Sequence, residues 1–108
     1  MATDKNDSDK EIQSITEIDK IIHEPARLLI MANLYVVDSM DFIFLKNQTQ
    51  LTWGNLSSHI SKLETAGYVN VDKSYKGKKP HTMLSLTEEG RTAFLNYRKK
   101  MKQVLDEI

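Results

Sequence analysis

Leu51-Thr52-Trp53-Gly54-Asn55-Leu56-Ser57-Ser58-His59-Ile60-Ser61-Lys62-Leu63 is the stretch on which the fold turns. Thr52 suits an N-cap, because its hydroxyl can accept a hydrogen bond from an amide left unpaired in the first helical turn. Leu56, Ile60 and Leu63 follow at i, i+4 and i+7, a single apolar stripe of helical period. The opposite side carries Gly54, Asn55, Ser57, Ser58, Ser61 and Lys62, with no carboxylate before Glu64. A helix whose outer face meets only water usually mixes Glu with Lys there. A face of Gly, Ser and Asn can instead press against a partner rich in donors and acceptors, and the major groove of DNA is such a partner.

The residues that follow extend this reading. Ala66-Gly67 stops the helix, with Gly67 suited to the left-handed position after it. Tyr68 to Tyr75 and His81 to Leu86 are rich in β-branched and aromatic residues and read as two strands. Between them Lys76-Gly77-Lys78-Lys79-Pro80 makes a turn with three lysines. A helix followed by a hairpin with a basic tip is the order of a winged helix-turn-helix domain. The spacing places a recognition helix at about 52–66 and a wing at about 68–86.

Upstream, isoleucines at 12, 15, 18, 21 and 22 predict an amphipathic helix over Glu11 to Ile22, after a polar tail at 1–10. Pro25 suits the first turn of the next helix, and the mostly apolar Ala26 to Val37 reads as a buried central helix. Asp38-Ser39-Met40-Asp41 reads as a loop ending in a cap. Phe42 to Gln48 or Thr49 is then a short helix with Phe42 and Leu45 inward, and the turn before Thr52 is short, as a helix-turn-helix requires. Downstream, Thr87 caps a final helix over 88–108, with Glu88 and Glu89 complementing its positive end. Gly90 stands where a capping box would have Glu. Ile12 and Ile15 with Phe94, Tyr97, Met101, Val104, Leu105 and Ile108 form the candidate dimerisation seam. The fold class expected is α+β, mainly α: a single domain over 11–108 with about five helices, a two-stranded wing and a C-terminal dimerisation helix.

Several stretches carry a family resemblance: Pro25-Ala26-Arg27-Leu28; Leu51-Thr52 with Gly54-Asn55-Leu56-Ser57 and His59; Lys62-Leu63-Glu64 with Ala66-Gly67-Tyr68-Val69; Leu86-Thr87 with Gly90-Arg91 and Ala93-Phe94. Together they resemble the small winged-helix DNA-binding domains of bacteria and archaea related to the MarR-type transcription factors. The resemblance runs from about Ile18 to Tyr97 with its motifs in order, and implies a dimeric transcriptional regulator. It leaves room for a small-molecule effector. One departure is Phe42 to Gln50, where Thr49 occupies the place of an apolar anchor.

At 108 residues the chain has room for one modest core. No run approaches the ~20 apolar residues of a bilayer span, and the polar, acidic Met1 to Lys10 lacks the apolar core of a signal peptide. The expected location is the cytoplasm. Without cysteine there is no disulfide framework or thiolate metal site. Fifteen basic and fifteen acidic residues cancel, but Met1 to Asp19 holds six acids while Lys73 to Lys79 holds four lysines and no acid. Local charge decides where a polyanion sits.

No catalytic constellation emerges. His23-Glu24 opens like a zinc-protease helix, but Arg27 stands where the second histidine must be. The expectation is a protein that is no enzyme and needs no cofactor or metal. Its partners are double-stranded DNA and a second copy of itself, and it has no membrane role. The candidate DNA-binding residues are Thr52, Trp53, Gly54, Asn55, Ser57, Ser58, Ser61 and Lys62 on the helix, and Lys73, Lys76, Lys78 and Lys79 on the wing. Trp53, on the flank of the stripe, is expected to pack at the domain surface rather than stack on a base. His59 reads as a core-edge histidine bonded to backbone. The rival reading is a winged helix used for protein contact, with RNA binding a third.

Overall fold

The computed structural model describes residues 17–108. In chain order they form α1 (Pro25–Tyr35), β1 (Met40–Asp41), α2 (Phe42–Thr49), α3 (Trp53–Thr65), β2 (Val69–Lys76), β3 (Lys79–Leu86) and α4 (Glu88–Asp106). The three strands make one antiparallel sheet in the order β1-β3-β2. This is the mainly helical winged helix-turn-helix that the pattern of stripes and turns predicts. The tail at 1–10, Ile12 and Ile15 lie outside the described residues.

Local chemistry sets most of the boundaries. Asp41 caps α2 by accepting from the Ile43 and Phe44 amides. Thr52 caps α3 by accepting from Asn55, and Thr87 caps α4 by accepting from Gly90. At the end of α3 the Gly67 amide donates to Glu64 and the Tyr68 amide to Leu63, both at 2.9 Å. Gly67 has φ of +83°, so the two bonds close a Schellman motif. Between α2 and α3 the chain reverses at Gln50, which holds φ of +60° without being glycine.

The core gathers one face from each element. Ile22, Ile30, Met31, Leu34, Leu45, Leu56, Leu63 and Leu84 are fully buried, so α1 is central and the stripe of α3 faces inward. Thr49, in the place of the missing apolar anchor, is buried too. Its hydroxyl donates to the Leu45 carbonyl at 2.9 Å, which satisfies it inside the helix it ends.

Four local expectations change. Residues 17–22 of the predicted isoleucine helix run as turns, and its earlier part is outside the described residues. Asp19 accepts from the Ile21 and Ile22 amides, an alternative to helical pairing. Glu24 is extended at φ −151° and ψ 131° before Pro25, as the ring of a following proline demands. Ile18 and Ile22 still reach the core. The central helix ends at Tyr35 rather than Val37, where the Arg91 guanidinium takes the Tyr35 and Val37 carbonyls at 3.0 Å each. Met40–Asp41 is a strand and not a loop, paired with Leu84 and Met83 at the base of the hairpin. Finally, the hairpin turn tightens to Gly77-Lys78, with Lys76 opposite Lys79 and Pro80 within β3 opposite Tyr75.

Candidate nucleic-acid interface

The stripe of α3 fixes what its other side can do. With Leu56, Ile60 and Leu63 buried, Gly54, Asn55, Ser57, Ser58, Ser61 and Lys62 are all exposed along one side of the helix. A Cβ added to Gly54 would meet nothing within 4 Å, so no neighbour in the fold requires glycine there. Glycine early in a helix costs stability relative to alanine. Packing among the described residues therefore gives no reason for glycine at this position.

Trp53 opens α3 and lies flat against Phe42 of α2, rings 5.6 Å apart and 7° from parallel. It packs at the surface as expected, yet remains 55% exposed. The Lys46 ammonium stands 5.1 Å from the Trp53 ring centre. Sequence reading missed both partners, since neither shares an apolar stripe with Trp53.

The wing rises beside α3. Its base is held by Val69, Leu84 and Leu86 in the core, whereas Lys73, Lys76, Lys78 and Lys79 are exposed. Gly77 supplies a φ of +67° at the first turn position, which suits a two-residue hairpin loop. Between α3 and the wing runs an open groove of about 660 Å³, with Ser57, Ser61 and Glu64 on the helix side and Lys73 and Thr82 on the wing side. Of the candidate residues, Trp53, Ser57 and Ser61 of the helix and Lys73 of the wing line this groove. At the wing root His81 Nε2 lies 2.7 Å from Asp41, tying β3 to the cap of α2.

His59 differs from expectation. It meets side chains and not backbone: its Nδ1 is 3.2 Å from Arg27 and 3.2 Å from the Glu24 carboxylate. Glu24 also accepts from the Ala26 and Arg27 amides at the start of α1. Burial pushes its carboxyl up, but those amides and the His59 and Arg27 charges outweigh burial and hold it below the usual carboxylate range. The cluster locks α3 to α1. A second clamp joins the N-terminal segment to the wing, where the Tyr68 hydroxyl donates to Asp19. Burial first, then Asp19 and the Glu89 charge, raise Tyr68 to about 12.

On α4 the candidate seam divides. Tyr97 is buried within its own chain and hydrogen-bonded to His23 at 2.8 Å. Phe94, Met101 and Val104 are half-buried against the core, while Leu105 and Ile108 are 61% and 97% exposed. Beside them an apolar groove of about 380 Å³ is lined by Leu28, Phe94, Met101 and Leu105. Lys100 of the same helix pairs with Glu17 at 2.8 Å. Among the described residues, no helix is long and apolar enough to cross a membrane.

Comparison with known proteins gives a consistent picture. Residues 26–105 match the family model described as winged helix DNA-binding domain. An uncharacterized protein of Methanocaldococcus jannaschii is 40% identical over 78 residues, 72% of this chain and 85% of that one. The structure of a transcriptional regulator homologue from Pyrococcus horikoshii OT3 superposes with a TM-score of 0.82 at 31% identity, covering 91% of this chain and 96% of that one. A MarR-family regulator structure from Porphyromonas gingivalis W83 shares the fold with a TM-score of 0.66 at 17% identity, covering 82% and 86%.

Proposed function

The chain belongs to the winged helix DNA-binding domain family, and from that premise we propose that it is a cytoplasmic homodimer that binds duplex DNA at a specific sequence and so regulates transcription. The class is one of MarR-type DNA-binding regulators, not of enzymes. The observation that carries the finer reading is the outer face of α3, exposed, small, polar and free of carboxylate as far as Glu64, with a glycine that no described neighbour requires.

In this reading α3 enters the major groove with its first turns foremost. Asn55 pairs with a base edge, the serines with bases or phosphates, and Lys62 with a phosphate. The wing lysines Lys73, Lys76, Lys78 and Lys79 hold the flanking backbone or reach the minor groove. The protein-contact alternative gives the exposed lysines no task beyond solubility.

The test starts with duplex fragments of genomic DNA captured by the protein and sequenced, which yields a site. On that site Asn55→Ala should lose about 1–3 kcal/mol of binding. Random duplex should be held as before, and the melting temperature should stay nearly unchanged. Equal losses on the selected and the random duplex would make Asn55 a backbone contact and remove it from sequence reading.

A further inference from the structure

We propose that the duplex is also gripped from α2, with Lys46 as a phosphate contact and Trp53 as the residue that positions it. The inference rests on the DNA-binding reading and deepens it by assigning a contact on the helix before the recognition helix.

Charge distribution is the first observation. The chain carries fifteen acidic residues in 108, yet none lies between Asp41 and Glu64. That gap covers all of α2, the turn and nearly all of α3. A carboxylate-free surface is therefore not confined to the recognition helix. It begins with Phe42, and a polyanion laid across α3 meets no fixed negative charge on α2.

Geometry is the second. Lys46 is the one lysine of α2, in its last turn, and none of the ion pairs among the described residues includes it. Its ammonium instead stands 5.1 Å from the centre of the Trp53 ring, and that ring is held flat by Phe42. A lysine on an exposed helix normally samples many rotamers and loses that freedom on binding. Here the aromatic face limits it beforehand, without neutralising its charge as a carboxylate would. A half-buried lysine, without an ion-pair partner among the described residues and directed by the first residue of the recognition helix, is a cation placed to receive an anion.

The fold supplies the third. Trp53 is the first residue of α3, so Lys46 sits beside the start of the recognition helix, on the helix that in such a motif crosses the sugar–phosphate backbone. The anion at that position is a phosphodiester of the strand flanking the groove that α3 enters. Such a contact fixes register and carries no sequence information.

Salt dependence of duplex binding tests this on the full chain. Lys46→Gln should weaken the captured duplex and a random duplex alike and lower the log–log salt slope by about 0.9, with an unchanged melting temperature. Lys46→Arg should restore the slope. Trp53→Leu should keep the slope, since the charge remains, but weaken binding, and in that background Lys46→Gln should cost less than it does alone. That sparing marks Trp53 as a positioning residue. A full slope in Lys46→Gln overturns the proposal, whether or not its stability falls. If the wing variant Lys76, Lys78, Lys79→Gln still lowers the slope, the DNA-binding reading stands without Lys46. Absence of salt-dependent duplex binding by the unaltered protein would overturn both.

Discussion

Two glycines differ in what the fold around them demands. A Cβ on Gly54 meets nothing, whereas one on Gly90 would come 2.1 Å from the Tyr68 carbonyl oxygen. Gly54→Ala should therefore stabilise the fold, by at most about 1 kcal/mol from helix propensity, and still weaken DNA binding by crowding the groove. Gly90→Ala should destabilise by about 1–3 kcal/mol despite the same propensity gain, because backbone must shift to admit the methyl. Thermal melts and duplex titrations of the two variants give opposite signs of stability change if each glycine serves the role assigned. A Gly54→Ala that binds as tightly as the parent would leave its glycine without a purpose. The missing capping box has the same origin: the position where Glu would reach back lies against Tyr68. Tyr68 itself carries a pH signature. Its hydroxyl, raised from 10 to about 12, holds its proton more tightly folded than unfolded. The stability it contributes is complete below pH 10 and is lost as pH rises toward 12. Denaturant midpoints across that range should fall more steeply for the parent than for Tyr68→Phe.

Among the elements, the wing is the simplest to isolate. Replacing Lys76, Lys78 and Lys79 by Gln touches only exposed tip residues, so the melt should not move. The salt slope should fall by about 0.9 for each phosphate that no longer meets a lysine. The fall should be the same for every duplex sequence, and an unchanged slope would return these lysines to a solubility role. The turn before α3 offers a stability test. Gln50 occupies the left-handed region at φ +60°, and its side-chain amide donates back to Asn47 at 2.7 Å. Gln50→Gly should stabilise by about 0.5–1 kcal/mol if relief of that conformation outweighs the added freedom of the unfolded chain. What the sequence revealed at this scale was whatever is local. The caps Asp41, Thr52 and Thr87, the Leu56-Ile60-Leu63 stripe and Gly67 each act within a few residues, and each stood in the pattern. Strand β1 did not, because two residues become a strand only through their pairing with Leu84 and Met83. The isoleucine period overstated helix at 17–22, where Asp19 and Pro25 redirect the backbone. Long-range partners were silent for the same reason: His59 to Arg27 and Glu24, Tyr68 to Asp19, and Arg91 to the end of α1. At the site, the exposed face of α3 and the basic wing could be read from residue type, but the aromatic stack that brings Lys46 to Trp53 joins two different helices.

For the whole molecule, the apolar seam on α4 bears on how many copies meet one site. Much of the apolar seam on α4 is spent inside the chain: Tyr97 is buried, and Phe94, Met101 and Val104 rest partly on the core. What remains uncovered among the described residues is the end, Leu105 and Ile108, together with the apolar groove between α1 and α4. Leu105 lies in the last turn of α4 and Ile108 just past its end at Asp106, and bare apolar residues of this kind are what a partner would cover. A second copy related by a twofold axis would cover them with the same residues of its own. The two α3 helices would then meet half-sites about one DNA turn apart, and the captured sequence would be roughly palindromic. Leu105→Glu tests this better than a change at Met101, because Leu105 has little own-chain packing to lose. Sedimentation should show a dimer for the parent at micromolar concentration and a monomer of unchanged helicity for Leu105→Glu. That monomer should lose far more affinity for a two-half-site duplex than for a single half-site. A parent protein that sediments as a monomer would leave the face covered within one chain and remove the reason for a palindromic site.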